Sequence, residues 1–292
     1  MRIVVALGGN ALLHRGERPE AAVQQANIDR VATALAALAH EHELVLTHGN
    51  GPQLGLLAGE SAADPALSAP YPLALLGAQT QGMIGSLLAR TLHDALPGRP
   101  VATLITHTLV RADDPAFARP TEPVGRTGPR ETAGARRRMV PSPQPERVLE
   151  TETVHRLLDS GTLVICAGGG GVPVTSDPHT GALTAVEAVV DKDLTAALLA
   201  EDLKADFLLV LTDVPCVYEE YGTPEQRPIL DATPAELRRA EFPAESMGPK
   251  AEAAARFVER TGGLAAIGAL DAAYEIVHGR SGTLVRPDLR GG

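Results

Sequence analysis

Short apolar runs alternate along this chain with longer stretches of helical period. Residues 3–7 form an unbroken apolar run that reads as a buried strand. Residues 44–46, 101–105, 163–166 and 207–211 repeat that pattern, and 264–267 reads as a last short strand. Between them, residues 21–39 carry Val23, Ala26, Val31, Leu35 and Leu38 on one helical face. Residues 73–92, 193–203 and 249–261 also read as helices, the first weakened by Gly77, Gly82 and Gly85. Apolar strands interleaved with helices imply a mostly parallel sheet covered on both faces. In such sheets ligands bind beyond the carboxyl ends of the strands. Two segments break the alternation. Residues 113–145 are rich in Pro, Gly and Arg and show no period, with Arg126, Arg130, Arg136, Arg137 and Arg138 set against Glu122 and Glu131. A basic loop of that length is functional or disordered. Residues 172–186 hold the turn signal Asp177-Pro178-His179-Thr180-Gly181 between two β-prone runs and read as a hairpin.

Composition narrows the class. The 292 residues suit one large α/β domain or two lobes around a cleft, and 44% hydrophobic residues suffice for a sizeable core. Aromatics are 3% and Trp is absent, so that core is built of Ala, Leu and Val. A formal net charge of −10 offers nucleic acid no counterion-release attraction, and no basic amphipathic helix suggests a membrane surface. No apolar stretch reaches the roughly 18 residues of a spanning helix, and the chain runs into its first strand without a signal sequence. A cytoplasmic location is the default expectation. Cys166 and Cys216 sit beside apolar runs and read as buried free thiols.

The glycines gather at the predicted strand ends: Gly8-Gly9-Asn10-Ala11 after the first, His48-Gly49-Asn50-Gly51-Pro52 after the second, and Gly168 to Gly171 after the fourth. Glycine permits positive φ and close backbone approach, and a following helix adds a partial positive charge. Three such loops on one sheet edge form a cradle for anions, phosphate above all. The P-loop, the dinucleotide-binding G-x-G-x-x-G and the protein-kinase motifs are all missing. Lys192 and Lys250 lie at predicted helix starts, where a lysine opposes the helix dipole unless it holds phosphate oxygens. Asp193 is placed to hold both lysines. His48 and His107 are acid–base candidates on residue type alone, and no cluster has metal-ligand spacing.

At these residues the sequence resembles the carbamate kinases, a group within the amino-acid-kinase fold family. The matching stretches run in order through nearly the whole chain: 6–12, 47–53, 81–85, 113–117, 140–143, 166–171, 191–193, 211–214 and 246–250. The resemblance implies an open three-layer α/β/α sandwich with a mostly parallel central sheet and a protruding lid in the N-terminal half. Residues 1–190, including a lid at about 113–145, would bind carbamate or carbamoyl phosphate. Residues 191–292 would bind the nucleotide, the two lobes sharing one continuous sheet. The implied reaction is ATP + carbamate ⇌ ADP + carbamoyl phosphate, with Mg²⁺, in a homodimer, used to make ATP in arginine catabolism. Gly8, Gly9, Asn10, Gly49, Asn50 and Gly51 would hold the phosphoryl group and carbamate, with Gly169 and Gly170 closing the pocket. Lys192 and Lys250 would bind the phosphates, Asp193 would orient them, and Asp213, Tyr218 and Met247 would surround the adenosine. The chemistry of the residues agrees, because carbamate is already an anion and phosphoryl transfer asks mainly for positioning and charge stabilisation. One departure stands out. The family reads P-T-K-P-[IV]-G in the lid, whereas this chain has Pro120-Thr121-Glu122-Pro123-Val124-Gly125 and a shorter insertion. Arg126, Arg130, Arg137 and Arg138 are candidates to supply the missing charge. The alternatives are another small-acid kinase of this fold and a catalytically weak paralogue that binds nucleotide.

Overall fold

The six apolar runs assemble, with two further strands at one edge, into one eight-stranded sheet, because runs apolar on both faces must be covered on both. In chain order its strands are β1 (Arg2–Leu7), β2 (Glu43–His48), β3 (Val101–Thr103), β4 (Leu163–Ile165), β5 (Phe207–Thr212), β6 (Asp231–Ala232), β7 (Leu264–Ala269) and β8 (Thr283–Val285). Across the sheet they run β6-β8-β7-β5-β1-β2-β4-β3, all neighbours parallel except β7 and β8. The computed structural model describes residues 1–14, 16–18, 20–125, 138–243 and 246–288, without the side chains of 10 and 11.

The helices are α1 (Gly9–Leu12), α2 (Ala21–Glu41), α3 (Gly51–Ala63), α4 (Leu73–Ala95), α5 (Thr151–Asp159), α6 (Lys192–Asp202), α7 (Pro234–Arg239), α8 (Met247–Thr261) and α9 (Ala273–Val277). Side-chain alternation along β1 shows the layering. Val4 and Ala6 join a core made with α5, α6 and α8, including Val154, Leu199 and Phe257. Ile3, Val5 and Leu7 join the opposite core with α2 and α4, including Leu35 and Leu88. The result is the expected α/β/α sandwich. Helix α4 forms despite its glycines. A Cβ on Gly85 would lie 2.2 Å from Cγ2 of Thr103, so the glycine lets the helix press onto β3. The hairpin expected over 172–186 is present as Val172–Ser176 paired with Leu183–Ala185. Asp177 Oδ1 fixes its turn by accepting from the N–H groups of His179 and Thr180.

The lid segment corrects the reading of a loop without structure. A 3₁₀ turn at Pro115–Ala118 precedes a two-stranded ribbon, Glu122–Val124 against Arg138–Val140. Val124 and Val140 pack with Leu54, Leu73 and Leu76 of α3 and α4, which anchors the ribbon's base. Cys166 and Cys216 are free and buried, and burial pushes the Cys166 thiol up to about 12. Among the described residues no helix is long and apolar enough to cross a membrane.

Candidate active site

Three strand ends meet at the carboxyl edge of the sheet. Past β1 the Gly8 N–H donates to Leu211 O at 2.9 Å, and past β2 the Gly49 N–H donates to Leu7 O at 2.9 Å. Asn50 is the N-cap residue of α3, with a proline in the first turn. Past β4 the chain turns through Ala167 at φ 52° into Gly168–Gly170. Buried threonines pin the carbonyls of this turn. Thr47 Oγ1 donates to Ala167 O (2.8 Å) and Thr108 Oγ1 to Gly170 O (2.6 Å), while Thr195 Oγ1, which donates to Asp191 O at 2.9 Å, packs beside Gly170 O. The Ala167 N–H in turn donates to Thr106 Oγ1, and Gln81 holds Thr106.

The expected positive φ holds for Gly169, Gly170 and Gly171 but not for Gly8, Gly9, Gly49 or Gly51. Gly8 and Gly49 also spend their N–H groups on the sheet. At these two positions a ligand would find room rather than a free backbone N–H. At Gly169, with φ 63°, a Cβ would come within 2.2 Å of Asn50 Nδ2. Gly170 lies behind the turn, against Val190 O.

Opposite the glycines stand the lysines. Asp191 caps α6 by accepting from the N–H groups of Asp193 (2.8 Å) and Leu194 (2.9 Å). Lys192 is the first residue of α6, and Lys250 lies in the first turn of α8. Both ammonium groups converge on Asp193: Lys250 Nζ is 3.0 Å from Oδ2, and Lys192 Nζ pairs with Oδ1. The Asp193 side chain is only 3% exposed, against 12% and 14% for the lysines. Burial raises the Asp193 carboxyl, but the two lysines together outweigh it and hold the group below the usual carboxylate range. Burial wins at Lys192 and lowers it. At Lys250 burial is outweighed by Asp193, Asp191 and Asp213, so that ammonium is raised and holds its proton firmly. Burial, with Asp193 as a like charge, raises Asp191.

These groups line two adjoining chambers. One, of about 270 Å³, is walled by Gly9, Gly49, Asn50, Gly51, Gly169, Lys192 and Lys250, with Glu122 and Pro123 of the lid ribbon. The larger, of about 1040 Å³, is walled by Gly8, Asp213, Tyr218, Tyr221, Phe242 and Met247. Gly9, Ser246 and Lys250 belong to both walls. The first turns of α3, α6 and α8 border the smaller chamber, adding three positive helix ends to two ammonium groups.

Some expected residues fall elsewhere. Arg138 pairs with Glu187 at 2.9 Å and lines neither chamber. Arg126, Arg130 and Arg137 lie outside the described residues, as does the Asn10 side chain. His48 is fully buried, its Nδ1 is 3.1 Å from Gly49 O, and burial pulls it down to about 4. His107 pairs with Glu150 at 2.8 Å in a second, four-stranded sheet. Neither ring lines a chamber, which removes both acid–base candidates. Conversely, Asp191, Ser246 and the pinning threonines were not anticipated as site residues. Only Asp191 had a readable signal, an Asp directly before a helical run.

The sequence profile of the amino acid kinase family matches residues 1–267. The chain is 46% identical to the carbamate kinase of Rhizobium meliloti (strain 1021), over 98% of this chain and 93% of that one. It is also 46% identical to the carbamate kinase of Escherichia coli (strain K12), over 97% and 98%. The solved carbamate kinase from Giardia lamblia bound to AMP-PNP superposes with a TM-score of 0.90 at 33% identity, covering 98% of each chain.

Proposed function

Because the chain belongs to the amino acid kinase family, among its carbamate kinases, we propose that it catalyses ATP + carbamate ⇌ ADP + carbamoyl phosphate. The observation that carries this reading is the shared wall. Lys250 and Gly9 border both a small chamber and a larger one, so a phosphoryl group can pass between their occupants within reach of the Lys250 ammonium group. The larger chamber, with room for a nucleoside and its phosphates, is the proposed nucleotide site; that the Giardia relative binds AMP-PNP supports a nucleotide as one substrate. Asp213, Tyr218 and Met247 in its wall face the adenosine. The smaller takes the acid, and 270 Å³ suits one of few atoms. On this reading residues 1–190 form the acid lobe and 191–292 the nucleotide lobe.

Carbamate carries its own negative charge, so its oxygen attacks the γ-phosphorus without a general base. Lys192 and Lys250 stabilise the charge on the transferring group, and Asp193 holds both ammonium groups in place. Asn50, Gly51 and Gly169 shape the acid end. Among the described residues no group of three His, Cys, Asp or Glu could cage a metal. Mg²⁺ would arrive on the nucleotide phosphates, the usual mode for this ion. The ion would neutralise phosphate charge. The proposed enzyme is a cytoplasmic homodimer, with Leu75 and Met83, both exposed on α4, as candidates to meet the second copy.

The test is ATP formation from ADP and carbamoyl phosphate in the presence of Mg²⁺. Steady turnover supports the reading. Tight nucleotide binding with no turnover overturns it.

A further inference from the structure

A proton count around Asn50 goes further. Thr80 is fully buried in α4, and its Oγ1 lies 2.7 Å from Gly77 O. A carbonyl has no proton to give, so the Thr80 hydroxyl must donate there, a common back-bond of helical threonine. Its single proton is then spent. Asn50 Nδ2 lies 2.8 Å from the same Oγ1, which can only accept. The amide orientation of Asn50 is thereby decided by hydrogen bonding alone: the NH₂ faces Thr80 and the carbonyl oxygen Oδ1 faces away from it. Asn50 is itself buried and lines the small chamber. Its remaining polar atom is therefore an acceptor, set among ammonium groups and positive helix ends that otherwise attract anions.

An acceptor in an anion chamber calls for a ligand that carries an N–H beside its negative charge. We propose that Asn50 Oδ1 accepts a hydrogen bond from the amino group of carbamate and carbamoyl phosphate, and that Thr80 acts as the positioning residue that turns the amide to do so. The inference rests on the functional reading above and adds to it the atom that tells a carbamoyl group from an acetyl group. Acetyl phosphate offers the same anhydride and phosphoryl group, with a methyl in place of the NH₂. A chamber that presents a buried acceptor to that methyl leaves the acceptor unpaired, the source of large discrimination in polar pockets.

The experiment measures kcat/KM for ADP phosphorylation with carbamoyl phosphate and with acetyl phosphate, in the wild type, Asn50→Leu, Thr80→Val and Thr80→Ser. The ratio of the two is the readout. The wild type favours carbamoyl phosphate, and Asn50→Leu lowers that preference at least about tenfold, chiefly through carbamoyl phosphate. Thr80→Val keeps the shape of the side chain but removes the acceptor for the NH₂, so the amide is free to rotate and the ratio falls as well. Thr80→Ser keeps the hydroxyl and restores the ratio, which a purely structural role for this position does not predict. Because a change in folding alters both rates alike, the ratio stays informative if a variant is less stable. Turnover of carbamoyl phosphate with an unchanged ratio in Asn50→Leu and Thr80→Val overturns this inference alone. A wild type that uses neither acyl phosphate overturns the functional reading, and this inference with it.

Discussion

The side chains that matter most here are charges kept from water. Asp193 sits between two ammonium groups, so each lysine has a partner when the site is empty and a second one when phosphate arrives. Replacing Lys192 or Lys250 by Ala removes a charge from the transferring phosphoryl group, where one such contact contributes roughly 3–4 kcal/mol. Each variant should lose about 10²–10³-fold in kcat while its circular dichroism stays native, and rates near wild type in both would remove these lysines from the mechanism. His48 gives a second test. Its ring is held neutral, its pKa depressed from 6.5 to about 4 by burial. The unfolded chain binds the proton first as pH falls, so the stability tied to this group is complete above pH 6.5 and is lost between 6.5 and 4. At pH 5 the loss from this group is about 2 kcal/mol. Urea unfolding at pH 7 and pH 5 should show a smaller difference for His48→Gln than for the wild type, by about that amount; equal differences would contradict it. The lysines were legible in the sequence because the chain has few and both open helices. The threonines were not, since what a hydroxyl does depends on which carbonyl the fold sets opposite it, and Thr108 and Gly170 are joined only through the tertiary structure.

Elements with one strong period were easy to read, and those whose pattern depends on another element were not. Strands β1, β2 and β5 announce themselves as apolar runs. Helix α3 did not, because Gly51, Pro52, Gly55 and Gly59 dilute its signal, yet the proline sits in the first turn where helices accept it. One of those glycines has a packing reason. A Cβ on Gly55 would lie 2.3 Å from Gly125 O at the base of the lid ribbon. Gly55→Ala must therefore displace the lid, and its KM for carbamoyl phosphate should rise several-fold while ADP affinity changes little; a parallel rise in both would show that the lid does not serve the acid chamber separately. The ribbon also carries Glu122 into that chamber's wall. A carboxylate there opposes a bound anion. Glu122→Lys should lower KM for carbamoyl phosphate with kcat retained or raised, and a higher KM would show that Glu122 contributes to binding.

For the whole molecule, the parallel sheet explains why the candidate site lies at one edge. All strands from β7 through β3 run the same way, so the turns after β1, β2 and β4 and the first turns of α3, α6 and α8 crowd together. In a chain with a net charge of −10, two lysines and three helix starts thus face one chamber, set against Asp191, Asp193 and Glu122. The central claim is that nucleotide and acid occupy adjoining chambers and exchange the phosphoryl group directly across Lys250. The stereochemical course at phosphorus tests it, with a γ-phosphoryl group made chiral by oxygen isotopes and transferred from ATP to carbamate. A single in-line displacement between two bound substrates inverts the configuration, which is the result predicted here. Retention would mean two displacements through a phosphorylated protein side chain and would contradict the account.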